Sequence, residues 1–512
     1  MHNAGIQGKM WRMVTTIYNK VESCVLVDGK ETSWFEVEVG VRQGCVLSPI
    51  LFSIFVDGLA RKIKESGMGV EVEGGEYDKL GLLMYADDIV LIANNEQELQ
   101  NMIDIVVNYS HKWRFELNHK KTEIVIFGRK STDHHFFLRA YNGVEMKELM
   151  IVPEYTYLGV IFKQNRCWND FKSKAIGKAR RCMAMTWGMG IHVGGLSAKA
   201  AINAWKALIR PVLEYGAEVI QYSKNASGSW PEADQIQMQM GRRILGCHPK
   251  TANAAVKGEL GWQSLKARRD MLRLRYWGKL VSMSSKRWTR RIYDKSRDEY
   301  TELGRRNWCT YTHDLLKDLG LEASWDENNV GTMKEWNAKV DAAIKVKEIQ
   351  RWKDEVQSKS KLRSYMKLKQ TLVVEDYVIS NRMSRGRRLL TDVRSGSNKL
   401  RIETGRHHTP SIPVEERICW CCGEEVEDEQ HFVIQCREYQ QERVEMFHAI
   451  SAATEGRLRV HTLQQTQPGI LFNLLVGSGT KYKRAAVMKC VEVFLVRAFN
   501  KRQDFCQQAG IE

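Results

Sequence analysis

The stretch Leu82-Leu83-Met84-Tyr85-Ala86-Asp87-Asp88-Ile89-Val90-Leu91-Ile92-Ala93 places two adjacent carboxylates, Asp87 and Asp88, between two apolar runs. Such runs predict two strands that fold back on each other, with the acid pair at the turn. Carboxylates at a turn of this kind can hold two Mg²⁺ ions about 3.5–4 Å apart, which clamp the attacking and leaving oxygens of an in-line displacement. Alone the pattern is a weak signal, since Asp is favoured in tight turns for backbone reasons. Its meaning therefore depends on the surrounding sequence.

The overall composition favours a polyanionic partner. The chain has 512 residues and a net charge of +17, and Lys and Arg that displace counterions from phosphates supply most non-specific affinity for nucleic acid. A basic ribosomal protein or a membrane-surface protein would have a similar charge. The N-terminus lacks the apolar core of a signal peptide, and the longest apolar stretch, near 46–56, is too short to span a bilayer. We therefore expect about two to four domains, no membrane partner, and an intracellular location, nuclear or cytoplasmic.

Four of the twelve cysteines lie close together, whereas the scattered ones are typical of small buried apolar residues. The spacing Cys419-x2-Cys422-x8-His431-x4-Cys436 predicts a zinc site, because three thiolates and one imidazole close a tetrahedron without leaving an open position. The site would be structural and Cys421 would be spare. The alternative is four incidental buried residues. The acidic run 424–429 argues against phosphate contact by this hairpin.

The order of predicted elements gives an α+β fold class. Strand-like runs between 21 and 161 alternate with helical patterns at 49–64 and 96–113. After about residue 170 the strand patterns disappear and basic helical patterns follow. Segment 382–406 holds eight Lys or Arg among Gly and Ser against two acids, so we interpret it as a basic connector that contacts nucleic acid.

A polar, glycine-flanked loop precedes the first of these helices, in the stretch 40–52, which reads GVRQGCVLSPILF. Ser48 is predicted to cap the helix. One interpretation is an ordinary loop-to-helix junction. The functional one is that Arg42, Gln43 and the bare backbone at Gly44 approach a template base or an incoming nucleotide, because glycine lets a ligand come close.

This loop, the Tyr-Ala-Asp-Asp hairpin, Leu117-Asn118-His119-Lys120-Lys121-Thr122 and Tyr157-Leu158-Gly159 together resemble, in the same order, reverse transcriptases of LINE-type non-LTR retrotransposons. The resemblance implies that Asp87 is a metal ligand, Asp88 its supporting acid, and Tyr85 a packing residue beneath the nucleotide. It places Arg42, Gln43 and Gly44 in the template and nucleotide groove, Lys121 near the triphosphate, and Tyr157, Leu158 and Gly159 at the primer end. For Lys121 the alternative is a solvated lysine after a turn.

The resemblance extends beyond this palm-like part. The stretch 205–216, WKALIRPVLEYG, resembles the family's thumb helix, and the family carries a similar Cys-Cys-His-Cys element after its thumb, linked to nucleic-acid binding. Paired arginines at 242–243 and 268–269 suit phosphate contacts. Trp262, Tyr276 and Trp277 lie between and after them, and at helical spacing we favour a core role for these aromatics over base stacking.

A two-metal site also needs a carboxylate from a second strand. The acids before the loop are Glu22, Asp28, Glu31, Glu36 and Glu38, and none is a good ligand. In the family the first catalytic Asp lies upstream of the stretch that 5–11 resembles, with the fingers and, in many elements, an endonuclease. We therefore expect a copy truncated at the N-terminus.

The sequence thus predicts a reverse transcriptase domain-containing protein derived from a non-LTR retrotransposon, an incomplete RNA-directed DNA polymerase with little or no activity alone. Its partners would be RNA and DNA, its metal Zn²⁺, and, if active, Mg²⁺ with deoxynucleoside triphosphates. One alternative is a non-catalytic nucleic-acid-binding protein that uses the thumb, connector and zinc element. Another is that a longer product or another chain supplies the missing strand. The oligomeric state stays open.

The expected domains follow the same order. They are a partial palm at 1–168, a thumb-like helical region at 169–265, a basic helical region and connector at 266–400, a zinc-binding element at 401–445, and C-terminal helices at 446–512.

Overall fold

The computed structural model describes residues 1, 4–38, 40–42, 44–72, 79–128, 134–139, 146–190, 195–220, 230–380, 383–477 and 483–510. The chain divides into two compact units. The first comprises Met1–Cys167 and Met283–Arg305, and the second comprises Trp168–Ser282 and Arg306–Glu512. Together the described residues form a mixed, helix-rich fold with small sheets, which confirms the α+β class at this level.

The first unit contains every named strand of the described residues, in short two-stranded pairs. The strands are β1 Glu22–Ser23, β2 Leu26–Val27, β3 Lys30–Glu31, β4 Phe35–Glu36, β5 Val70–Glu71, β6 Lys79–Leu80, β7 Leu82–Tyr85, β8 Asp88–Leu91, β9 Glu123–Ile124, β10 Phe137–Arg139, β11 Met146–Glu148, β12 Met150–Ile151, β13 Glu154–Tyr157 and β14 Val160–Lys163. The helices are α1 Gly8–Tyr18, α2 Ser48–Glu65, α3 Glu96–Trp113 and α10 Trp288–Thr301. The pairs are β1–β4, β2–β3, β5–β6, β7–β8, β10–β11 and β13–β14, all antiparallel, and β9–β12, which is parallel.

Helices α2 and α3 form the layer that supports the acid hairpin. Leu59 and Ile63 of α2 pack with Met102, Val106 and Tyr109 of α3 in one buried cluster. The Tyr109 hydroxyl donates to the carbonyl of residue 55 at 2.7 Å, so its polar end is satisfied inside the core. The half-buried side chains of β7 and β8 pack against the same cluster, and they are Leu82, Met84, Ile89 and Leu91. The two helices therefore hold the hairpin from one face.

All the named elements in the described part of the second unit are helices. An isolated bridge between Ile418 and Val426 is the β-structure that this part contains. Its helices are α4 Asn169–Gly188, α5 Ala198–Ala204, α6 Arg210–Glu214, α7 Pro231–Leu245, α8 Asn253–Leu260, α9 Leu265–Val281, α11 Trp308–Asp318, α12 Glu322–Asp326, α13 Met333–Gln357, α14 Tyr365–Leu368, α15 Asp376–Ser380, α16 Arg385–Arg394, α17 Arg401–Thr404, α18 Gln440–Ala453, α19 Val460–Gln465, α20 Pro468–Leu475 and α21 Arg484–Gln508. None of the described helices combines the length and the apolar character needed to cross a bilayer.

The stretch that resembles a thumb helix contains a wide turn. Residues Trp205–Ile209 form a π-turn that joins α5 to α6. Pro211 lies directly beyond it, and a proline inside a helix lacks an N–H and clashes with the carbonyl four residues earlier. A widened turn relieves that clash. The helix therefore continues past Pro211 to Glu214.

A buried ionic network joins distant helices of the second unit. Arg394 of α16 donates to both carboxylate oxygens of Glu259 of α8, at 3.0 Å and 2.8 Å, and both side chains are fully buried. The hydroxyls of Tyr365 and Tyr377 donate to the same carboxylate at 2.8 Å and 2.6 Å. Four hydrogen bonds thus compensate for the desolvation of this charged pair.

The structure corrects the interpretation of 382–406 as a connector only in part, because Arg385, Arg388 and Lys399 are exposed. Helices α16 and α17 occupy most of it, and Arg387 and Arg394 are among the largest fully buried side chains of the described residues. Arg387 donates to the carbonyl of residue 244 at 2.6 Å, so it also has an internal role. Arg382 lies outside the described residues. Composition alone suggested a solvated linker, because Glu259 and the carbonyl of residue 244, which accept from Arg394 and Arg387, lie more than a hundred residues away in the sequence.

The paired arginines are also largely engaged within the protein. Arg242 donates to the carbonyl of Thr251 at 2.8 Å, and Arg269 is buried with its guanidinium over the ring of Trp230. Arg268 pairs with Glu214. The core role is confirmed for Trp262 and Trp277, which are buried, whereas Tyr276 is only partly buried and packs edge-on against Trp308.

Asp392 of α16 gives a prediction about pH. Burial raises the pKa of this carboxyl to about 7, and the backbone N–H of His248 and the charge of Lys361 only partly oppose that rise. The unfolded chain releases the proton at about pH 4, so the free energy of unfolding should fall as the pH rises from about 4 to about 7, by on the order of 2–4 kcal/mol. In urea unfolding, Asp392→Asn should match the unmodified protein near pH 4 and exceed its stability above pH 7. Exposed Asp376→Asn is the control, and equal pH profiles for Asp392→Asn and the unmodified protein would contradict the prediction.

Candidate metal and nucleotide site

The predicted hairpin is present. Strands β7 and β8 pair from Leu82 opposite Leu91 to Tyr85 opposite Asp88. Ala86 and Asp87 form the two-residue loop, and Ala86 has a φ of +52°, as the first central position of a primed hairpin turn requires. Asp87 and Asp88 are both exposed. The turn therefore presents two carboxylates to solvent at the end of a supported hairpin.

Tyr85 immediately precedes the turn on its exposed face. Its side chain is 64% exposed, which is high for a large aromatic residue. Alternation along β7 places Leu83 on the same face, also exposed. This face of the hairpin is free to pack against a ligand, and the opposite face is used by the core.

A second hairpin lies close to the acid pair. Strands β13 and β14 meet at Leu158 and Gly159, whose φ values of +48° and +78° fit a type I′ turn. Burial raises the pKa of Tyr157, and the charge of Asp88 raises it further. The same two causes, with a smaller contribution from Glu123, raise the pKa of Tyr155. The carboxylate of Asp88 therefore acts directly on this hairpin.

Tyr155 and Glu123 are residues that sequence reasoning missed. Period-two alternation places Tyr155 on the same face as Tyr157, and that signal could have found it. Glu123 begins β9, which pairs in parallel with β12. Nothing in its local sequence distinguishes it from a solvated acid, because its proximity to Tyr155 depends on non-local pairing.

The loop before α2 is organised by Ser48, but not as predicted. Leu47 is the N-cap of α2 and no side chain caps the helix, so the expected Ser48 cap is wrong. The Ser48 hydroxyl instead donates to the carbonyl of Arg42 at 2.5 Å, and its oxygen lies 3.2 Å from the Tyr18 hydroxyl. Gly44 has a φ of +80°, a conformation that favours glycine. Ser48 thus closes the loop on itself.

Two further residues of the predicted nucleotide groove, Arg42 and Lys121, lie within the described part of the chain. Arg42 is exposed, and Gln43 lies outside the described residues. Lys121 is exposed at the end of a 3-10 turn, His119–Lys121, that leads into β9. Within the described ranges Lys121 forms no ion pair with Asp87 or Asp88.

The acid pair provides part of a divalent-cation site. Mg²⁺ is commonly held by one or two carboxylates together with waters and substrate phosphates, and Asp87 and Asp88 fit that description. In the part of the chain that the structure describes, no third His, Cys, Asp or Glu joins them in a metal-binding group. These two carboxylates alone do not provide the bridging set that a pair of ions requires.

The four residues of the predicted zinc site lie together. The ligand atoms of Cys419, Cys422, His431 and Cys436 are all within 4.8 Å of one another, and all four residues are buried. The Sγ atoms of Cys419 and Cys436 are 4.0 Å apart, and Cys422 Sγ is 3.4 Å from His431 Nε2. Bond lengths of about 2.3 Å to sulfur and 2.0–2.1 Å to nitrogen give tetrahedral edges of roughly 3.5–3.8 Å. The group therefore fits a tetrahedral metal ion.

The surroundings of this group orient its ligands. Gly423 has a φ of +71° and its N–H donates to the carbonyl of Cys419 at 2.8 Å, which folds the first cysteine pair into a tight turn. His431 Nδ1 lies 3.0 Å from a carboxylate oxygen of Glu425. A carboxylate on the second ring nitrogen fixes the imidazole with Nε2 as the ligand atom. Hydrogen bonds from Cys421 and Cys436 lower the pKa of Cys419, which favours the thiolate that a metal needs.

Cys421 and the acidic run have separate roles. Cys421 is outside the group of four and its Sγ lies 3.1 Å from the Tyr439 hydroxyl. Glu427 is fully buried and pairs with Arg502 of α21 through both oxygens, at 2.6 Å and 2.8 Å. Glu429 is buried and pairs with Arg363. Glu427 and Glu429 therefore anchor this element internally, whereas Glu424 and Glu425 are exposed.

Comparison with known proteins identifies the kind of domain that carries the acid hairpin. Residues 2–162 match the family model described as reverse transcriptase (RNA-dependent DNA polymerase). This part of the chain is accordingly a reverse transcriptase domain. The match covers both hairpins and the loop before α2.

The relatives define the family more narrowly. The chain is 25% identical over 247 residues to the RNA-directed DNA polymerase from mobile element jockey of Drosophila funebris, which covers 46% of this chain and 25% of that protein. It is 22% identical over 257 residues to the Retrovirus-related Pol polyprotein from type-1 retrotransposable element R2 of Popillia japonica, covering 49% of this chain and 40% of the relative. The chain thus spans less than half the length of these relatives. These matches support a reverse transcriptase domain of the LINE type, as found in non-LTR retrotransposons, in the matched part of the chain.

Proposed function

We propose that the first unit carries the inner part of a reverse transcriptase palm and that its ancestral chemistry is RNA-directed DNA synthesis. The observation that carries the proposal is the exposed Asp87–Asp88 turn beside the Tyr157 hairpin, within the segment that matches the reverse transcriptase model. In this assignment Asp87 is a metal ligand and Asp88 its supporting acid. Bound Mg²⁺ would stabilise the charge that develops on the reacting phosphoryl group.

The neighbouring residues would position the substrates. Exposed Tyr85 would pack beneath the nucleotide. Arg42, Gln43 and Gly44 would line the template and nucleotide groove, where the Ser48–Arg42 hydrogen bond fixes the loop and Gly44 lets a base approach closely. The Tyr157-Leu158-Gly159 turn would contact the primer end. Lys121 would contact the triphosphate of a deoxynucleotide, an assignment that rests on the resemblance alone.

We expect little or no polymerisation by this chain alone, because no third carboxylate joins Asp87 and Asp88 among the described residues. An additional strand, from a longer product or from another chain, would have to supply it. The four-residue Cys and His group would hold one structural Zn²⁺, since it is buried and leaves no coordination position open for a substrate.

In the helical unit α4 is a better nucleic-acid contact than 382–406. Its residues Lys174, Lys178 and Arg181 follow one another at helical spacing and are exposed, while Ile176 and Met183 are buried on the opposite side. A row of exposed cations suits RNA or DNA phosphates. We assign α4 and the π-turn helix at 205–216 to a thumb-like region on this basis.

A second candidate function is binding of RNA or DNA without catalysis. The exposed cation row on α4 favours it, together with the incomplete carboxylate set. Binding of this kind should weaken steeply with salt and be unaffected by Asp87→Ala. Replacing Lys174, Lys178 and Arg181 by Gln should lower the affinity for single- and double-stranded probes alike, and the salt dependence should become shallower.

The proposed metal platform can be tested without activity. With a primer–template and Fe²⁺ in place of Mg²⁺, hydroxyl-radical cleavage of the 512-residue chain should occur beside the β7–β8 turn and be lost in Asp87→Asn. Asp57→Asn, which changes an exposed acid on α2, is the matched control and should leave the cleavage intact. Cleavage that is absent from the turn, or that survives Asp87→Asn, would count against the assignment.

Primer extension tests the expected inactivity. Purified protein with Mg²⁺ or Mn²⁺ should incorporate no deoxynucleotide above background. Incorporation abolished by Asp87→Ala and retained by Asp57→Ala would overturn that expectation and show that the acid pair works without a further carboxylate strand. Incorporation that both variants retain would identify a contaminating polymerase.

A further inference from the structure

A cleft of about 230 Å³ lies within the helical unit, beside the π-turn. Four cationic side chains line it, Lys206, Arg210, Arg268 and Lys345, against one lining acid, Glu348. Lys206 and Lys345 are exposed and the two arginines are partly buried. The cleft therefore has an excess of positive charge in partly desolvated surroundings, where charges interact more strongly than in water.

Arg210 and Arg268 compete for a single carboxylate. Arg268 donates to Glu214, with one distance of 3.2 Å between Nη2 and Oε2, and Arg210 Nε lies 3.5 Å from the other oxygen of Glu214. Burial lowers the pKa of Arg210 and the charge of Arg268 lowers it further, against the opposing effect of Glu214. Two guanidinium groups thus share one negative charge, and an additional anion would relieve their repulsion.

Two buried donor atoms of the cleft form no hydrogen bond among the described residues, Trp262 Nε1 and Arg210 Nε, and Arg210 Nε has only the longer ion-pair contact with Glu214. Trp262 is only 6% exposed, and its ring stacks on Trp205 at 5.1 Å, so the indole is held in place. Glu348 accepts from the N–H of Ser264 at 2.6 Å through Oε1, whereas its buried Oε2 forms no hydrogen bond in the same described ranges and has only an ion-pair contact with Arg351 Nη1 at 3.7 Å. Unpaired buried polar atoms are costly and indicate a missing partner.

We propose that this cleft binds the phosphomonoester of a nucleotide, as a site separate from Asp87 and Asp88. The phosphate oxygens would accept from Trp262 Nε1 and Arg210 Nε and be neutralised by the cations around them. Glu348 Oε2 would accept from a sugar hydroxyl or a base amino group. Ile349 and Leu372 line the same cleft and provide apolar contact area for a base. The volume is below the roughly 300–1,000 Å³ of sites for drug-sized ligands, so part of the nucleotide would lie outside the cleft.

Such a phosphomonoester could belong to a free nucleotide or to the 5′ end of a nucleic acid strand. Titration calorimetry of the full chain with AMP and with adenosine tests the first source. Competition between two ten-nucleotide DNA oligomers of one sequence, with a 5′-phosphate or a 5′-hydroxyl, tests the second. We expect at least tenfold tighter binding of the phosphorylated member of one pair, since charge-assisted hydrogen bonds are the strong ones.

Two variants assign that preference to the cleft. Arg210→Gln removes one of the crowded charges and leaves Glu214 paired with Arg268, and Trp262→Phe removes only the indole donor. Each should reduce the phosphate preference by about tenfold or more. Arg497→Gln on α21 makes the same charge change at an exposed ion pair and should leave the preference unchanged.

The result that overturns the proposal is equal binding of the phosphorylated and unphosphorylated members of both pairs. A phosphate preference that persists in Trp262→Phe, with its fold verified by circular dichroism, would also overturn it, and that variant decides the matter if Arg210→Gln does not fold. If the unmodified protein prefers AMP to adenosine and the two variants lose that preference, the ligand is the free nucleotide. If the preference that the variants lose is the one for the 5′-phosphorylated oligomer, the ligand is a strand end.

Discussion

Cys436→Ser is expected to abolish zinc binding and unfold the C-terminal part of the helical unit, whereas Cys421→Ser should retain one zinc per chain. The two thiols lie in the same element, but only Cys436 belongs to the group of four ligands. Structural Zn²⁺ contributes apparent binding free energies of about 10–16 kcal/mol in zinc-finger peptides, and that energy is available only when the folded ligand set exists. Removing one ligand therefore affects both metal content and folding.

Metal analysis of freshly purified protein gives the measurement, with circular dichroism before and after a chelator. Chelation should lower the helical signal of the unmodified protein and of Cys421→Ser, and should change Cys436→Ser little, because that variant has already lost the metal. Zinc below one per chain in the unmodified protein, unaffected by Cys436→Ser, would remove the zinc assignment.

Arg394→Met is expected to destabilise the helical unit by about 3–5 kcal/mol, the usual cost of leaving one member of a buried ion pair without its partner. Glu259 would keep the two tyrosine hydroxyls as donors but lose its only bidentate cation. The double variant Glu259→Gln with Arg394→Met should lose less unfolding free energy than the sum of the single changes. Glu259→Gln removes the charge that Arg394→Met leaves uncompensated.

Denaturant unfolding followed by far-ultraviolet circular dichroism measures these free energies. Arg497→Met breaks an exposed ion pair with Glu445 and should cost at most about 1 kcal/mol. Two results would contradict the structural role of the network. One is a double variant whose loss of unfolding free energy equals the sum of the losses of the single variants. The other is an Arg394→Met variant that loses no more unfolding free energy than the control Arg497→Met.

Local sequence signals predicted the supports of the site well. Helix α3 begins and ends where its pattern indicated, because Asn95 caps it through the N–H of Glu98 and Arg114 ends it in a left-handed conformation. The turn at Ala86 and Asp87 and the spacing of the cysteines are also local features. For these residues the interactions that decide the structure lie within a few positions along the chain.

The predictions from sequence that the structure corrects involve residues whose interaction partners are not predicted by the local sequence pattern. Ser48 was expected to cap its own helix but bonds to the loop carbonyl of Arg42. Arg394 was interpreted as part of a basic connector, because its partner Glu259 is 135 residues away in the sequence. The effect of Asp88 on Tyr155 likewise depends on how two hairpins pack. No local pattern contains these relationships, and the predicted domain boundaries stay predictions.

The ionic network has a consequence for synthesis on the ribosome. Glu259 leaves the ribosome 135 residues before Arg394 does, an interval of about 7–27 s at roughly 5–20 residues per second. During that interval the carboxylate of Glu259 lacks its bidentate cation, so α8 cannot reach its final packing until Arg394 has emerged. The helical unit should therefore depend on chaperones or on late, concerted folding, and any ribosome-stalled or frameshifted product that ends before residue 394 should be an early target of proteolysis.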